Sequence, residues 1–546
     1  MPRRSCACTF SSMISDRHSA DVAIVGAGIA GIAAAIEALS RSRRVLLLDR
    51  DLEGNLGGLA KDAFGGLWFA GTPLQRRRGI RDDAALGLAD WLAFGELGEH
   101  DEWPRAWART YVERSVPDVY EWLTAIGVRF MPMPMWVERG LYVPGNSVPR
   151  FHLVWGTGRA LTNALIDRLL NHPRRNLLEL RFGHRVDSLV THAGAVCGIQ
   201  GATEPDGRPF EVACEAVVIA AGGINGDIER VRSHWHADWG EPPPVILNGS
   251  HRFANGALHD SAASVGANVT HLDWQWNYAA GIRHWRPRKP DHGLSLVPPK
   301  SALWLNSRGE RIGPMPLVTG YDTHELVARI CHEPGGYSWQ LLNRRIALKE
   351  LAVSGAEFNP AIRDCRKLRV ALDLVFGNRW LYDELTRNSE DIVLADTLPE
   401  LVARMNALNG DDIVDLATVE STVARYDAAI RRGGRFHNDE QLRLIAWARK
   451  WPGDRIRTCA FQPILDPRAG PLMAIREFVI SRKSMGGIQT DLECRVLDVH
   501  GRAIAGLFAA GEAAGFGGGG MNGKRGLEGT FLGGCLLTGR VAGRNV

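Results

Sequence analysis

Three glycines near the start of the chain have the spacing of a nucleotide-binding turn. Gly26, Gly28 and Gly31 follow the apolar, β-branched run at residues 22–25 and precede an alanine-rich segment at residues 32–39. This pattern predicts a strand, a tight turn and a helix. Gly26 would make the turn, Gly28 would let the backbone approach a pyrophosphate, and Gly31 would let the helix lie close to the strand. The helix N-terminus would stabilise the diphosphate charge.

An acidic residue follows at the distance expected for a dinucleotide site. Asp49 ends a second apolar run, residues 45–48, eighteen residues after Gly31. A carboxylate there accepts hydrogen bonds from ribose hydroxyls, which favours FAD or NAD over NADP. The glycine pairs at residues 57–58 and 65–66 favour the longer FAD, because they offer further close approach of backbone. Such glycines also occur simply as turns.

The C-terminal part of the chain has a second glycine-rich pattern. Residues 506–515 predict a buried strand that runs into a glycine-flanked turn, with Glu512 placed to meet a polar chain. Four consecutive glycines at 517–520 suit a planar ligand lying against backbone. A final helix is predicted from about residue 530 to 543. The dinucleotide-binding domain is therefore predicted to be split between the two ends of the chain.

Composition limits the class of protein. The chain has 546 residues, 45% hydrophobic and 23% charged, which predicts several globular domains. A net charge of +4 gives no overall field that favours nucleic acid or an anionic membrane. Nine scattered cysteines predict neither a disulfide framework nor a metal site and fit a reducing cytoplasm. Residues 1–20 are predicted to be a mobile leader without the apolar region of a secretory signal, and no membrane span is expected.

Six motifs together resemble one family. They are GAGIAG at 26–31, RFHLVWGTG at 150–158, VVIAAGGINGD at 217–227, SMGGIQTD at 484–491, GLFAAGEAAG at 506–515 and LEGTFLGG at 527–534. They resemble the FAD-dependent oxidoreductase 2 superfamily of fumarate reductases, succinate dehydrogenases, aspartate oxidases and 3-ketosteroid Δ1-dehydrogenases. Within it the chain is most similar to predicted FAD-binding dehydrogenases near the ketosteroid dehydrogenases.

The resemblance implies an α/β fold with two parts. One is a Rossmann-type, glutathione-reductase-like FAD-binding domain formed by residues 21–236 and 466–546. The other is an inserted α+β capping or substrate domain at residues 237–465.

The resemblance also implies the residues that surround FAD. The residues at the ADP half are Gly26, Ala27, Gly28, Ala30, Gly31, Asp49 and Arg50, and those on the adenosine side are Val186, Ala221 and Gly222. Gly57, Gly58, Gly65 and Gly66 are expected further along the cofactor. Gly511 and Glu512 are expected at the ribityl chain, and Gly529, Thr530, Phe531 and Leu532 at the flavin pyrimidine. Where this family attaches flavin covalently, it uses a histidine in the 57–66 segment. Residues 60–64 are Ala-Lys-Asp-Ala-Phe here, so FAD is expected to be non-covalent.

Five residues are candidates for catalysis. Tyr321 follows a Gly-Glu-Arg turn at the distance where ketosteroid dehydrogenases place a tyrosine, although a buried tyrosine satisfied by one hydrogen bond has the same signature. Arg482 and Lys483 precede the SMGG motif, where fumarate reductases carry substrate-binding histidines; they could instead serve flavin N1 or solvent. Arg525 stands near the substrate arginine of fumarate reductases. His152 either lines the flavin cavity or is a core residue.

These assignments predict a dehydrogenase or ene-reductase that acts at a carbon–carbon bond next to a carbonyl, with an external electron partner. An apolar ketone or enone is expected rather than a dicarboxylate, because the acid of a fumarate-type proton relay is missing after Arg311. The alternatives are an oxidase or tailoring enzyme of secondary metabolism, favoured by the divergent 521–526 loop, a fumarate-reductase-like enzyme, and a non-catalytic flavoprotein.

Overall fold

The computed structural model describes residues 16–313 and 321–546. The strands are β1 Asp16–Ser19, β2 Val22–Val25, β3 Val45–Leu48, β4 Gly66–Trp68, β5 Phe151–Leu153, β6 Leu178–Arg181, β7 His184–His192, β8 Ala195–Thr203, β9 Pro209–Ala213, β10 Ala216–Ile219, β11 Ile246–Asn248, β12 Val269–Thr270, β13 Gln275–Arg283, β14 Gly293–Val297, β15 Leu303–Leu305, β16 Tyr337–Asn343, β17 Ala352–Val353, β18 Ile392–Ala395, β19 Leu472–Ser484, β20 Gly487–Ile488, β21 Arg495–Leu497 and β22 Ala503–Ala509.

The α-helices follow the same order along the chain. They are α1 Ile29–Ser40, α2 Pro73–Arg77, α3 Ala84–Gly95, α4 Glu102–Arg114, α5 Glu121–Ala125, α6 Thr157–Leu170, α7 Ile228–Ser233, α8 Ala257–Ser264, α9 Thr323–His332, α10 Arg344–Glu350, α11 Pro360–Arg363, α12 Lys367–Phe376, α13 Arg379–Asn388, α14 Leu398–Asn409, α15 Leu416–Arg431, α16 Glu440–Ala448, α17 Pro452–Arg457 and α18 Thr530–Asn545. Among the described residues, no helix is both long enough and apolar enough to cross a bilayer.

The chain divides into two units. Within the described residues, the first unit consists of 16–234, 250–276 and 483–546, and the second consists of 235–249 and 277–482. Both ends of the chain lie in the first unit, as the split domain requires. Compared with the predicted boundaries, residues 250–276 move to the first unit and residues 466–482 move to the second.

A six-stranded sheet organises the first unit. Its order is β21-β22-β10-β2-β3-β6, in which β22, β10, β2, β3 and β6 are parallel and β21 is antiparallel. The runs VAIV, VLLL and AVVI of β2, β3 and β10 are buried throughout, as expected for parallel strands covered on both faces. The chain leaves β2 towards β3 and returns on the other side at β10, so the switch point of the sheet lies between β2 and β10.

A second sheet of the first unit corrects the predicted leader. Its order is β1-β9-β8-β7, and β1 pairs with β9 in parallel, with Asp16 opposite Phe210. Residues 16–19 are therefore part of the sheet and not of a mobile leader. Cys6 and Cys8 lie outside the described residues, and Cys197 in β8 is disulfide-bonded, against the expectation of free thiols.

A mixed sheet forms the centre of the second unit. Its order is β15-β16-β19-β13-β14-β17, and β11 and β18 also pair with β19. Trp304, Trp339 and Tyr426 are among the largest side chains of its core, each at most 1% exposed. Helices α9 to α17 lie between or after these strands in the chain, so the inserted part has the α+β composition that the sequence predicts.

Candidate cofactor and active site

The glycine turn lies at the switch point of the six-stranded sheet. A methyl group added to Gly26, whose φ is +105°, would lie 2.4 Å from the carbonyl oxygen of Ala220 at the end of β10. One added to Gly31 would lie 1.9 Å from the carbonyl oxygen of Gly26. A methyl group added to Gly28 would meet nothing within 4 Å. Packing within the chain therefore requires Gly26 and Gly31, whereas Gly28 borders open space that a ligand can use.

The start of α1 is suited to an anion. The helix begins after Gly28 with no side-chain cap and no acidic residue in its first turn. Its first amides therefore lack side-chain acceptors and carry the positive end of the helix dipole. These are the requirements of a diphosphate site.

Asp49 connects β3 to the glycine turn. Its two carboxylate oxygens accept the backbone N–H of Ala27 at 2.6 Å and of Asp51 at 2.7 Å. Each carboxylate oxygen can accept more than one hydrogen bond, so capacity for ribose hydroxyls remains. Arg50 is paired with Glu204 at 2.5 Å and its guanidinium lies 4.4 Å from the ring centre of Phe253.

The second glycine cluster has mainly a packing role. A methyl group on Gly57, or on either glycine at 65–66, would fall within 2.5 Å of atoms in residues 151–162. Gly58 differs, because its nearest neighbour is the Cα of Gly28, at 3.3 Å from the added methyl group. Gly58 is therefore the member of the cluster that lies beside the open space at the glycine turn.

Glu512 follows β22 beside the end of β10. Its Oε1 accepts the backbone N–H of Ser484 at 2.9 Å. A methyl group on Gly223 would lie 2.6 Å from the same oxygen, and one on Gly511 would lie 2.7 Å from the Cβ of Ala30. Close packing thus holds the carboxylate at the carboxyl ends of the parallel strands, where α/β sheets bind ligands. Ala221 and Gly222 at the end of β10 are half-buried, and Val186 is buried in β7.

The start of α18 is a second uncapped helix N-terminus. Gly529, with φ of +99°, precedes it, and the first turn has neither a side-chain cap nor an acid. The Thr530 hydroxyl is directed away from these amides, since it lies 2.7 Å from Asn522 Oδ1 and from a backbone carbonyl. The amides of Phe531 and Leu532 are thus first-turn donors suited to an electron-rich carbonyl oxygen.

Lys483 is a candidate cation that lies near this helix start. Its Nζ is 4.1 Å from the ring centre of Phe531 and 5.9 Å from that of Trp276. Aromatic faces attract a cation, so the two rings help to position the ammonium group. Arg482 precedes it in β19, where successive side chains point to opposite faces, and a methyl group on Gly249 would lie 2.7 Å from Arg482 Cδ. The boundary between the two units lies between Arg482 and Lys483.

Arg525 is held by an acid that the sequence does not single out. Its Nη1 lies 2.5 Å from Glu96 Oε2, and Lys524 Nζ lies 2.6 Å from the same oxygen. Glu96 follows α3 in the left-handed conformation, with φ of +52°. A substrate carboxylate would have to compete with Glu96 for these cations, so the predicted catalytic role of Arg525 finds no support in the geometry.

His152 is a core residue. Its Nε2 lies 2.9 Å from the Thr72 hydroxyl and its Nδ1 2.6 Å from the carbonyl oxygen of Arg150. The side chain is fully buried beside Phe69 and Tyr120, and burial lowers its pKa to about 4. Since both ring nitrogens have partners within the fold, His152 does not line a cavity as one of the two sequence interpretations proposed.

Tyr321 lies in the second unit at the first residue after the 314–320 gap. Its side chain is 3% exposed, and its ring centre is 6.2 Å from that of Trp447. The next residue, Asp322, caps α9 by accepting the backbone N–H of Glu325 at 3.0 Å. The backbone on the C-terminal side of Tyr321 is thereby fixed.

The comparisons with known proteins agree with this cofactor site. The sequence profile of a family described as "FAD binding domain" matches residues 21–532. The chain belongs to this FAD-binding family. A KsdD-like steroid dehydrogenase of Mycolicibacterium smegmatis is 42% identical over 94% of this chain and 96% of the relative. A second one, of Mycobacterium tuberculosis, is 40% identical over 96% of this chain and 95% of the relative.

Two solved structures share the fold of this FAD-binding protein. They are a 3-ketosteroid Δ1-dehydrogenase from Sterolibacterium denitrificans, with TM-score 0.69, 17% identity and coverage of 96% of this chain and 99% of the other, and a flavocytochrome c3 fumarate reductase, with TM-score 0.67, 21% identity and coverage of 98% and 78%. The predicted α/β FAD-binding fold is confirmed. The chain is an FAD-dependent oxidoreductase of the class that dehydrogenates carbon–carbon bonds, as the sequence predicts.

The features of the site fit FAD. The open space at Gly28 and the uncapped start of α1 suit its diphosphate, Glu512 suits the hydroxyls of its ribityl chain, and the start of α18 suits the pyrimidine oxygen. Bound FAD supplies hydride transfer to or from a carbon atom of the substrate. The first-turn amides of α18 and the ammonium group of Lys483 both favour negative charge at that end of the site.

Two charged clusters of this FAD-binding protein were not predicted from its sequence. Arg150 is completely buried and binds Asp82 through two bonds of 2.8 and 2.9 Å and Asp90 at 2.5 Å. In the second unit, one ligand atom each of His236, Asp238 and His324 lie within 4.8 Å of one another, although no metal site is predicted. Each cluster joins residues from separate parts of the chain, so no local spacing identifies it.

We expect Gly28→Ala to weaken FAD binding and Gly31→Ala to lower the stability of the fold. Gly28→Ala should leave the melting temperature of the apoprotein unchanged but weaken FAD binding at least tenfold, because the methyl group enters space that only a ligand would fill. Gly31→Ala should lower the melting temperature of the apoprotein itself, because the methyl group meets backbone. Calorimetry and FAD titration would separate these effects, and equal loss of FAD affinity and stability in both variants would contradict the assignment.

His152 should make stability fall in mild acid. Its folded pKa of about 4 lies below the unfolded value of 6.5, so the unfolded chain binds the proton first. Stability from the neutral ring is complete above pH 6.5 and is lost as the pH falls towards 4. At pH 5 the loss is roughly 2 kcal/mol. Urea unfolding at pH 7 and pH 5 should show a smaller difference for His152→Asn than for wild type.

The exposed His192 provides the control for this experiment. His192→Gln should keep the wild-type difference between pH 7 and pH 5. An unchanged difference in His152→Asn would show that this ring does not stay neutral in the folded state.

Proposed function

We propose that this chain dehydrogenates, or in the reverse direction reduces, a carbon–carbon bond next to the carbonyl of an apolar cyclic ketone of the steroid class. The observation that carries the proposal is the match, over nearly the full length of both chains, with relatives named KsdD-like steroid dehydrogenases. The uncapped starts of α1 and α18 and the buried Glu512 environment support FAD as the hydride carrier. An external acceptor or donor completes the electron balance.

Tyr321 is the proposed proton-transfer residue. In the dehydrogenation direction, the carbon next to the carbonyl loses a proton and the carbon after it loses a hydride. The loss of the proton needs a positioned base. Tyr321 is buried, and the next residue, Asp322, caps α9; both observations support a fixed position for this side chain. Lys483 is proposed to stabilise negative charge beside the start of α18.

The charges in the first unit disfavour a dicarboxylate substrate. Lys524 and Arg525 share Glu96, so binding a substrate carboxylate there would leave the Glu96 charge without its partners. In the second unit, Arg311 binds Asp439 at 2.6 Å and Gln441 at 2.7 Å. Each of these cations already has a carboxylate within the fold, which Lys524 and Arg525 share, whereas a fumarate-type site needs cations directed at the substrate.

We expect the purified holoenzyme to reduce an artificial electron acceptor in the presence of a 3-ketosteroid such as 4-androstene-3,17-dione. Tyr321→Phe should lower kcat by a factor of roughly 10² or more, because general acid–base catalysis contributes about that much, with a smaller change in KM. Tyr426→Phe is the matched control: Tyr426 is also buried in the second unit, and its hydroxyl has no hydrogen-bond partner among the described residues.

Two outcomes would count against this assignment. Reduction of fumarate by a viologen donor, with no activity on cyclic ketones or enones, would contradict the substrate class. Release of peroxide at the full turnover rate without an added acceptor would identify an oxidase instead. Full activity of Tyr321→Phe on a ketone would leave the substrate class intact and remove Tyr321 from the mechanism.

We also propose that FAD is held without a covalent bond. The segment where the family carries its linking histidine contains Gly58–Asp62 as a short 3₁₀ turn, and its Lys61 donates to the carbonyl oxygen of Gly54 at 2.7 Å. We expect acid precipitation of the holoenzyme to release all flavin into the supernatant, as measured by its absorbance. Flavin that stays with the precipitated protein after washing would contradict this prediction.

A further inference from the structure

Helix α12 in the second unit presents its apolar stripe to solvent. Leu368, Leu372, Val375 and Phe376 stand at positions i, i+4, i+7 and i+8, and they are 76%, 42%, 69% and 76% exposed. Residues with this spacing lie on one face of a helix and normally pack against the core. No residue of α12 is buried. The stripe therefore forms an exposed apolar ridge, which we call the α12 ridge.

The next helix of the same unit shows the ordinary arrangement. In α13, the apolar residues Leu381, Tyr382 and Leu385 have similar spacing and are all buried. The same unit therefore buries the apolar residues of α13 but leaves those of α12 exposed. An exposed apolar patch of this kind marks an interaction surface.

A basic cavity adjoins the end of the α12 ridge. It has a volume of about 360 Å³, and Val375, Phe376 and Gly377 form part of its wall. The remaining wall includes four cationic side chains, Arg344, Arg345, Lys349 and Arg468. The cavity and the ridge therefore form one continuous surface that is apolar on one side and cationic on the other.

Two of these four cations have no carboxylate partner among the described residues. Arg345 binds Asp466 at 2.9 Å, and Arg468 lies 3.5 Å from the same carboxylate. Neither Arg344 nor Lys349 has a carboxylate at ion-pair distance among residues 16–313 and 321–546. The Nε of Arg344 is also buried without a hydrogen-bond partner in that part of the chain. Two cations are thus available to an anion that enters the cavity.

The fringe of the ridge is basic as well. Arg366 and Arg369 are exposed beside it, and Asp373, the one acid of α12, is largely covered and pairs with Arg369 at 3.0 Å. Long cationic side chains around projecting leucine and phenylalanine residues are typical of helices that lie in the headgroup region of anionic membranes. Arginine is also enriched at protein interfaces, so contact with a second copy of the chain is an outcome that the vesicle experiment must distinguish.

We propose that the α12 ridge and the basic cavity dock the enzyme on an anionic phospholipid membrane. Leu368 and Phe376 would enter the acyl boundary, and Arg344 and Lys349 would bind a lipid phosphate. The net charge of +4 does not reveal this surface, because acids elsewhere in the chain balance most of the cations. The proposal depends on this surface alone and not on the substrate class.

Vesicle flotation with the full-length holoenzyme tests the proposal. Wild type should float with vesicles of phosphatidylcholine and phosphatidylglycerol and much less with phosphatidylcholine alone, and added salt should weaken binding. The double variant Leu368→Glu/Phe376→Glu should lose binding at least tenfold, because charge replaces the inserted side chains. Arg344→Gln/Lys349→Gln should lose on the order of tenfold, in line with the contribution of cations near an anionic surface.

Matched controls separate this surface from general effects. Val499 is 68% exposed in the first unit, so Val499→Glu places the same charge on another exposed apolar residue and should float like wild type. Arg502→Gln removes an exposed arginine that pairs with Asp498 and should also float like wild type. Leu368→Glu/Phe376→Glu should keep the wild-type melting temperature, because no residue of α12 is buried.

Three results would overturn the proposal. One is equal flotation with neutral and anionic vesicles, and another is wild-type flotation of both double variants. The third is a wild-type dimer in light scattering that Leu368→Glu/Phe376→Glu converts to a monomer, with no vesicle binding by wild type. That result would assign the ridge to contact with a second copy of the chain.

Discussion

The first unit depends on direct contact between the first and last helices of the chain. A methyl group on Gly539 of α18 would lie 2.3 Å from the carbonyl oxygen of Ala30, and one on Gly543 would lie 2.2 Å from that of Ala34. Because these neighbours are backbone atoms of α1, only glycine at the two positions of α18 permits this approach. This packing joins the two ends of the sequence into one domain and fixes α18 against α1, the helix that begins at the diphosphate turn.

Close backbone packing also occurs at the cofactor site. Gly31 lets α1 lie on the turn made by Gly26, and Gly511 lets the turn after β22 lie against Ala30. Each contact leaves no room for a side chain, so the backbone segments on its two sides must keep these positions relative to each other. Gly28 is the exception, since its surroundings are open. The contrast separates the glycines that packing within the chain requires from Gly28, which packing does not require.

The sequence predicted the parts of this enzyme that short-range spacing determines. The turn at Gly26, the carboxylate of Asp49 and the start of α18 all lie where their motifs indicate, because a strand, a turn and a helix follow one another within a few residues. It could not predict that Glu96 compensates Arg525, since these residues are far apart in the chain. The separation of Arg482 from Lys483 could have been predicted, because neighbouring residues of a strand point to opposite faces.

The cations of the chain differ in what already neutralises them, and this difference decides their roles. Arg150 is buried between two carboxylates, so its charge serves the fold. Lys524 and Arg525 share one carboxylate and hold the 521–526 loop to the end of α3. Lys483 lies near the aromatic rings of Trp276 and Phe531, which attract and position its ammonium group. Lys483 therefore differs from the other three in lying over Phe531 at the start of α18, where negative charge is proposed to develop.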